Sequence, residues 1–280
     1  MKALVLDVPQ EKWEATTGMT LASVEDPCLN EGRHPEDAGK VIIKPRLTGF
    51  CGSDKSIWFR NAFKDLIYES LMKNGAPHRI CGHELLGEIV ETGSYAASHY
   101  GYKAGDMVST ESHIFCGRCH QCRIGEEHVC VDQKIIGIST DGCFAEYVKL
   151  PAKELWKTDT DKIRPEVAAI QEPLGNAVHA CSRVDLRGKS VAVFGCGTIG
   201  LFSLLVARAM GAAFLVGVDP NPVNLQRAEA LGADLILQVD REAARGRPFD
   251  PDEDQVDAIR RQCRGEGVDV AMEMAGSNPA

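Results

Sequence analysis

The sequence predicts an α/β protein of two domains, in which a β-rich domain precedes a domain built on a parallel sheet. Up to about residue 160, the apolar runs are short and are separated by Gly, Pro and Asp turns, which is typical of irregular, partly closed sheet. After that point strand-like and helix-like segments alternate, which indicates right-handed βαβ units. A chain of 280 residues is long enough for both, and we expect the boundaries 1–163 and 164–280.

Within the first half, one segment departs from the strand pattern. The strands are expected in the runs KALVLDV, KVIIKPRL, LLGEIVETG, GDMVST and CFAEYVKLP. Between residues 61 and 74, however, Phe63, Leu66, Ile67 and Leu71 recur at helical spacing, and Asn74-Gly75 is a plausible stop. This predicts an amphipathic helix packed on the sheet, with a partner-binding stripe as the alternative.

The second half has the order expected of a doubly wound domain. Pro165 suits the first turn of a helix that runs towards Ala180. The strands are then predicted in SVAVFG, FLVGVD, LILQV and VDVAMEM, and the helices between them in LFSLLVARAMGA and NLQRAEALGA.

Composition excludes several classes of partner. The net charge is −9, and the sequence has no run of Lys and Arg residues that could bind along the phosphate backbone of a nucleic acid. Nucleic acid is therefore not expected to bind. The longest apolar runs are strand-sized, so no membrane span is expected, and the N-terminus reads as a strand and not as a secretory signal. Eleven cysteines, four of them in one short segment, favour metal binding in a reducing compartment. We therefore expect a cytoplasmic protein.

The four clustered cysteines have the spacing of a metal lobe. Cys116, Cys119, Cys122 and Cys130 are arranged as C-x2-C-x2-C-x7-C. Four thiolates fill a tetrahedral zinc shell and leave no position for a substrate, so this pattern predicts a structural zinc ion. An iron–sulfur cluster, whose usual runs end in Cys-Pro, and a lobe without metal are the alternatives.

A glycine loop follows a predicted strand and opens a predicted helix. Residues 195–200 read GCGTIG, a G-x-G-x-x-G fingerprint in which Thr198 and Ile199 begin the helix. Gly195 permits a tight turn, Gly197 lets the backbone approach a pyrophosphate, and Gly200 allows close packing of helix and strand. Asp219 ends the next strand, where an acid accepts hydrogen bonds from ribose hydroxyls and repels a 2′-phosphate. The loop predicts NAD as cofactor.

A second set of possible metal ligands is scattered along the chain. Cys51 opens CGSD, His83 and Glu84 lie in GHE, and Glu172 lies in QEPLGNAVH. A thiolate, an imidazole and carboxylates can together hold zinc with one position open for water or substrate oxygen. Sequence spacing alone leaves open whether these residues meet or are ordinary buried and surface side chains.

These motifs together give the chain a family resemblance. With CGSD, GHE, ESHIFCGRCHQC, GCFAEYVKLPA, QEPLGNAVH and GCGTIG, it resembles the medium-chain, zinc-containing alcohol dehydrogenases, and within them the threonine and polyol dehydrogenases. The resemblance implies a GroES-like catalytic domain, a Rossmann cofactor domain, and Cys51, His83, Glu84 and Glu172 around a catalytic zinc.

The same resemblance implies an activity. Zinc polarises a secondary alcohol, which can be L-threonine, a polyol or a related hydroxy compound, and NAD accepts the hydride. Ser53 occupies the family's proton-relay position. His113 lies where threonine dehydrogenases carry a histidine; it shuttles protons, orients substrate, or makes a structural hydrogen bond.

Two further expectations concern assembly and completeness. Family analogy implies a homo-oligomer, a dimer or a tetramer. The run VDVAMEMAGSNPA resembles the fourth strand of the cofactor sheet and its following turn, so we expect a Rossmann domain that is truncated at its C-terminus. The competing hypothesis is therefore a non-catalytic, zinc-stabilised module that binds NAD.

Overall fold

The computed structural model describes residues 1–240 and 252–276. The chain divides into two compact units, Met1–Glu172 and Pro173–Ala280. Residues 164–172, which we assigned to the second domain, are counted with the first unit in this division. The boundary at 163/164 stays a prediction.

The first unit is built from antiparallel sheet, as the short strand-like runs predict. A five-stranded sheet has the order β10-β6-β5-β3-β9, a three-stranded sheet the order β2-β1-β4, and β7 pairs with β8. The strands are β1 (Lys2–Leu6), β2 (Thr20–Ser23), β3 (Lys40–Thr48), β4 (Arg79–Ile80), β5 (Leu85–Thr92), β6 (Met107–Thr110), β7 (His113–Ile114), β8 (Lys134–Ile135), β9 (Val148–Pro151) and β10 (Leu155–Lys157).

Helices in this unit are short and lie between the strands. They are α1 (Gly52–Trp58), α2 (Lys64–Asn74), α3 (Ser94–Tyr100), α4 (His120–Arg123) and α5 (Pro165–Ala168), and α6 (Gln171–Ser182) begins at the end of the unit. Short 3₁₀ helices occur at Gln10–Ala15, Pro35–Gly39, Glu127–Val129 and Ala152–Glu154. The helix predicted to begin at Pro165 is thus two helices, with Pro165 at the first position of α5.

The helix predicted between residues 61 and 74 is confirmed as α2, and Gly75 ends it in the left-handed region. Ile67 and Leu71 are buried as expected, whereas Leu66 is 38% exposed. Tyr68 occupies the buried face instead, because its hydroxyl donates to the carbonyl of Val8 at 2.6 Å and its ring meets another aromatic ring edge to face.

A buried carboxylate also ties the first unit together. Asp37 is 1% exposed and accepts hydrogen bonds from the amide of Asn30 at 3.0 Å and from the ammonium groups of Lys40 and Lys149 at 3.0 and 3.3 Å. Burial opposes ionisation, but the amide and the two ammonium groups lower the pKa of Asp37 to about 2.

The second unit contains the predicted parallel sheet, with strand order β13-β12-β11-β14. Its strands are β11 (Ser190–Phe194), β12 (Phe214–Asp219), β13 (Leu235–Gln238) and β14 (Val270–Glu273), and its helices, after α6, are α7 (Thr198–Ala209), α8 (Pro222–Ala230) and α9 (Glu253–Gln262). All pairs in this sheet are parallel. The order 3-2-1-4, counted along the chain, is that of a Rossmann sheet. In the described ranges, no helix is both long enough and apolar enough to cross a bilayer.

Candidate functional site

The four clustered cysteines converge on one point. All four sulfur atoms lie within 4.8 Å of one another. The Sγ of Cys119 is 3.4 Å from that of Cys122 and 3.9 Å from that of Cys130, and the Sγ atoms of Cys116 and Cys122 are 4.0 Å apart. Tetrahedral zinc with four thiolates requires sulfur–sulfur separations of about 3.8 Å. The lobe therefore fits a zinc ion.

Backbone amides favour the thiolate form of two of these cysteines, Cys116 and Cys119, whereas burial raises the pKa of Cys122 to about 12. The amides of Arg118 and Cys119 donate to the Sγ of Cys116 at 3.5 and 3.4 Å, and these bonds lower the pKa of Cys116. Hydrogen bonds from the backbone at Cys122 and Val131 lower the pKa of Cys119 to about 6. Since zinc binds the thiolate and not the thiol, a lowered pKa favours metal binding at neutral pH.

Three residues of the scattered set also meet. Cys51 precedes the first residue of α1, and His83 and Glu84 lie between β4 and β5. One donor atom from each lies within 4.8 Å of the other two. The hydroxyl of Ser53, in the first turn of α1, lies 3.4 Å from the Nε2 atom of His83. A thiolate, an imidazole and a carboxylate in this arrangement suit zinc with a position left for substrate.

Asp54 is a residue of the candidate site that we did not identify from the sequence. It is fully buried; its Oδ2 atom accepts from the amide of Cys51 at 3.0 Å, and its Oδ1 atom lies 3.8 Å from the Nδ1 atom of His83. Within the described part of the chain, those two atoms, Oδ1 and Nδ1, are buried without a hydrogen-bond partner. An acid three residues after a helix-capping residue, as in CGSD, was the pattern that could have identified it.

Electrostatics agree with a site that is made for a cation. Burial favours the neutral ring of His83, but the hydrogen bond with Cys51 and the charge of Asp54 raise its pKa to about 9. Burial also raises the pKa of Asp54 and of Glu84. Burial disfavours the charged form of these carboxyl groups, and a cation that binds beside them stabilises that form.

Glu172 lies close by but in a second group. Its carboxylate lies within 4.8 Å of donor atoms of Glu111 and His113, and in the described residues it is not among the donors grouped with Cys51. It is near enough for its charge to raise the pKa of both His83 and Glu84. The structure thus joins three of the four ligands predicted from the sequence and holds the fourth beside them.

His113 is the centre of this second group. Its Nδ1 atom lies 3.0 Å from the Oε1 atom of Glu111 and 3.0 Å from the hydroxyl of Ser112. The hydrogen bond to Glu111 raises the pKa of His113. Burial would raise the pKa of Glu111, but the hydrogen bonds from His113 outweigh burial and lower it. Glu111 and Ser112 were not identified from the sequence, because nothing in their spacing indicates that they meet Glu172, 60 residues later.

The glycine loop has the geometry that its sequence predicts. Gly195 follows β11 with a φ of 92°, and a Cβ on Gly200 would lie 1.8 Å from the carbonyl oxygen of Gly195. Gly197 precedes α7, which begins at Thr198 and continues through Ile199. The amide groups at the start of α7 therefore face the turn where a pyrophosphate binds in this motif.

Asp219 ends β12 beside the loop. Its Oδ2 atom accepts from the amide of Cys196 at 2.7 Å, and its Oδ1 atom accepts from the amide of Asn221 at 2.7 Å. The side-chain amide of Asn224 lies 3.3 Å from the same Oδ1. These bonds fix the carboxylate at the end of the strand. Oδ1 accepts two donors, whereas Oδ2 accepts one and keeps a lone pair for a further donor.

Comparison with protein families matches both halves of the chain. Residues 37–160 match the alcohol dehydrogenase GroES-like domain, and residues 198–280 match the zinc-binding dehydrogenase domain. The L-threonine 3-dehydrogenase of Symbiobacterium thermophilum is 39% identical over 269 residues, which cover 96% of this chain and 68% of the relative. That of Pyrococcus horikoshii is 40% identical and covers 86% of this chain and 63% of the relative. The chain thus spans about two thirds of the length of these relatives.

Solved structures show the same fold. The alcohol dehydrogenase from Thermus sp. ATN1 has a TM-score of 0.75 at 26% identity, over 99% of this chain and 71% of that one. Galactitol-1-phosphate dehydrogenase from Escherichia coli has a TM-score of 0.74 at 26% identity, over 99% and 69%. The chain therefore belongs to the zinc-binding, medium-chain alcohol dehydrogenase family, whose members are oxidoreductases that act on CH–OH groups with NAD(P).

Proposed function

We propose that this chain oxidises a secondary alcohol to a ketone with zinc and NAD, and that L-threonine is the first substrate to test. The observation that carries the proposal is the convergence of the Cys51, His83 and Glu84 donor atoms within 4.8 Å. The name L-threonine 3-dehydrogenase, which relatives at 37–40% identity carry, supports the choice of substrate. Polyols and other hydroxy compounds are the alternatives.

In this proposal Cys51, His83 and Glu84 hold the catalytic zinc, with Glu172 as an adjacent carboxylate. When bound, zinc supplies Lewis-acid polarisation of the alcohol oxygen. Asp54 holds the imidazole of His83 in its orientation through Nδ1, in the manner of carboxylates that support metal-ligating histidines. When bound, NAD⁺ would accept a hydride from the alcohol carbon, while the hydroxyl proton leaves and the C=O bond forms.

We assign Ser53 to the transfer of the alcohol proton and His113 to a contact with the substrate. The hydroxyl of Ser53 lies 3.4 Å from His83, so it is near the place where the alcohol oxygen must bind, and it can accept the alcohol proton while it passes on its own. The Nδ1 atom of His113 contacts Glu111 and Ser112, which leaves Nε2 as the ring atom that can contact a polar substrate.

The loop of Gly195, Gly197 and Gly200 is assigned to the NAD pyrophosphate, together with Thr198 and Ile199. Asp219 is assigned to the adenosine ribose, because the remaining lone pair on its Oδ2 atom can accept a ribose hydroxyl. The lobe of Cys116, Cys119, Cys122 and Cys130 is assigned to a structural zinc. A homo-oligomer and a cytoplasmic location stay predictions.

The test is NADH formation by the zinc-loaded chain with L-threonine, butane-2,3-diol, sorbitol and a simple secondary alcohol. Turnover that a chelator abolishes is expected, and the best substrate identifies the group. Cys51→Ser should abolish turnover and reduce the zinc content from about two ions per chain to about one. The matched control is Cys28→Ser, because Cys28 is an exposed cysteine outside the donor groups.

The same zinc measurement separates the competing function. A folded chain with about one zinc ion, no turnover on the whole panel and retained NAD binding would contradict the dehydrogenase and favour the non-catalytic module.

A further inference from the structure

Two short backbone segments carry the three donors of the candidate catalytic centre. Cys51 lies in the segment that joins β3 to α1, and His83 and Glu84 lie in the segment that joins β4 to β5. A backbone hydrogen bond links the two segments, from the amide of Gly49 to the carbonyl of Glu84 at 3.0 Å. Since the donors belong to different segments, their geometry depends on whatever holds these segments at a fixed separation.

The ring of Phe144 packs beside both segments. A Cβ at Gly82, the residue before His83, would lie 2.4 to 2.7 Å from three atoms of this ring, so the ring lies directly on the backbone of Gly82. The same ring is stacked with that of Phe50, the residue before Cys51; their centroids are 6.1 Å apart and their planes differ by 10°. One side chain therefore adjoins the chain neighbour of a ligand in each segment.

The backbone of Phe144 is held by hydrogen bonds. Its amide donates to the carbonyl of Cys81 at 2.9 Å, and its carbonyl accepts from the amide of Leu4 at 2.8 Å. The preceding amide, that of Cys143, donates to the carbonyl of Gly82 at 2.9 Å. Gly82 has a φ of 90°, which residues with a side chain rarely adopt. The ring therefore extends from a fixed backbone onto a position that suits glycine.

The stacked partner of this ring is not an ordinary core residue. Phe50 is 58% exposed, so burial accounts for little of its placement. Its ring is nevertheless nearly parallel to that of Phe144. Aromatic pairs of this kind attract each other beyond the effect of burial, and the attraction depends on their orientation. Because Phe50 is bonded to Cys51, the stacking acts on the position of that ligand.

We propose that Phe144 is a positioning residue that sets the separation between Cys51 and His83. It does so by lying on Gly82 and by stacking with Phe50. The inference rests on the proposed function, because it takes Cys51 and His83 as ligands of the catalytic zinc. Without the ring the two segments can shift, and ligand distances at a metal tolerate only about 0.2 Å. The catalytic zinc is then held more weakly.

The test compares the wild-type chain with Phe144→Leu, which removes the ring and keeps an apolar side chain. We expect the catalytic zinc to be lost to a chelator about tenfold faster, and kcat/KM to fall by about 10- to 100-fold. Zinc in the four-cysteine lobe should leave at its wild-type rate. Cys51→Ser, which should retain only the lobe zinc, identifies that phase of the zinc loss. Phe144→Tyr keeps the ring and should restore both quantities.

Phe50→Leu tests the stacked pair without disturbing the core, because Phe50 is exposed. It should speed the loss of the catalytic zinc by about threefold. The double variant should lose zinc no faster than Phe144→Leu alone, since Phe50 acts through that ring. The matched control is Phe214→Leu, which makes the same substitution at a partly buried position in β12. It should lower the melting temperature and leave zinc loss unchanged.

Three results would overturn the inference while the proposed function stands. They are wild-type zinc loss in Phe144→Leu, equal acceleration of zinc loss from both metal sites in that variant, and effects of the two substitutions that multiply in the double variant. The second result would mean that Phe144 serves only the stability of the fold. A wild-type chain that holds no zinc through Cys51 contradicts the proposed function and the inference with it.

Discussion

Gly49 lies against a candidate zinc ligand and gives a sharp test of the site. It follows the last residue of β3, and its amide donates to the carbonyl of Glu84 at 3.0 Å. A Cβ at this position would lie 1.9 Å from the Oε2 atom of Glu84 and 2.9 Å from its Cβ. Gly49→Ala therefore acts on Glu84 without changing any donor atom.

The size of the effect follows from these distances. A Cβ does not approach another heavy atom closer than 3.0 Å, so the carboxylate must move by more than 1 Å. Because the Cβ of Glu84 is also crowded, rotation of the side chain alone does not relieve the contact. Ligand distances at a metal tolerate about 0.2 Å, and a misplacement of about 1 Å near reacting atoms costs about 100-fold in rate.

We therefore expect Gly49→Ala to lower kcat/KM by about 100-fold and to reduce the zinc retained at the catalytic position. The assay is NADH formation, with zinc counted in the same samples. The matched control is Gly39→Ala, whose new Cβ would lie 3.9 Å from its nearest neighbour, the ring of Tyr95, and should change neither quantity. Wild-type turnover and zinc content in Gly49→Ala would refute the assignment of Glu84 to the metal centre.

Three other predictions follow from single contacts. Gly197→Ala should leave folding intact, because nothing lies within 4 Å of the new Cβ, but should weaken NAD binding by blocking the pyrophosphate, whereas Gly200→Ala should lower the melting temperature as well. Asp37→Asn should cost about 2 kcal/mol of unfolding free energy at neutral pH, because the pKa of Asp37 is about 2 in the folded chain and 3.8 without the fold. The difference between the two proteins is fully present above about pH 4 and is lost as the pH falls towards 2. Urea titrations at several pH values would show or contradict this. Cys122→Ser should remove one zinc ion and lower the melting temperature; an unchanged zinc count would contradict the four-thiolate lobe.

The fold could be predicted from the sequence wherever one local pattern determines the element. The alternation of strands and helices after residue 160 predicted β11 to β14, α7 and α8, because parallel strands buried on both faces read as continuous apolar runs. The helix α9, between β13 and β14, was not predicted. The orientation of α2 was predicted less well. Apolar periodicity placed Leu66 inward, but the hydrogen bond of Tyr68 to Val8 decides which face is buried.

The candidate site divides in the same way. The four-cysteine lobe and the glycine loop lie within 15 and 6 residues of chain, so their spacing carries their geometry. The remaining ligands lie far apart in the sequence, and only the sheets bring Cys51 near His83. The contact of Ser112 with Glu172 spans 60 residues and depends on a single hydroxyl, which no periodicity or spacing could have indicated.

The catalytic donors are held at a cost in stability that a metal ion can offset. Asp54, His83, Glu84 and Glu172 are each less than 10% exposed. Burying so many ionisable groups destabilises a fold unless they are paired, and the unpartnered Oδ1 atom of Asp54 and Nδ1 atom of His83, both in the described part of the chain, show that the pairing is incomplete. A cation at Cys51 neutralises the carboxylates and fixes the ring of His83, so binding there is coupled to folding. Glu172 differs from the other three residues in that a buried hydroxyl, that of Ser112, donates to its Oε1 atom at 2.6 Å.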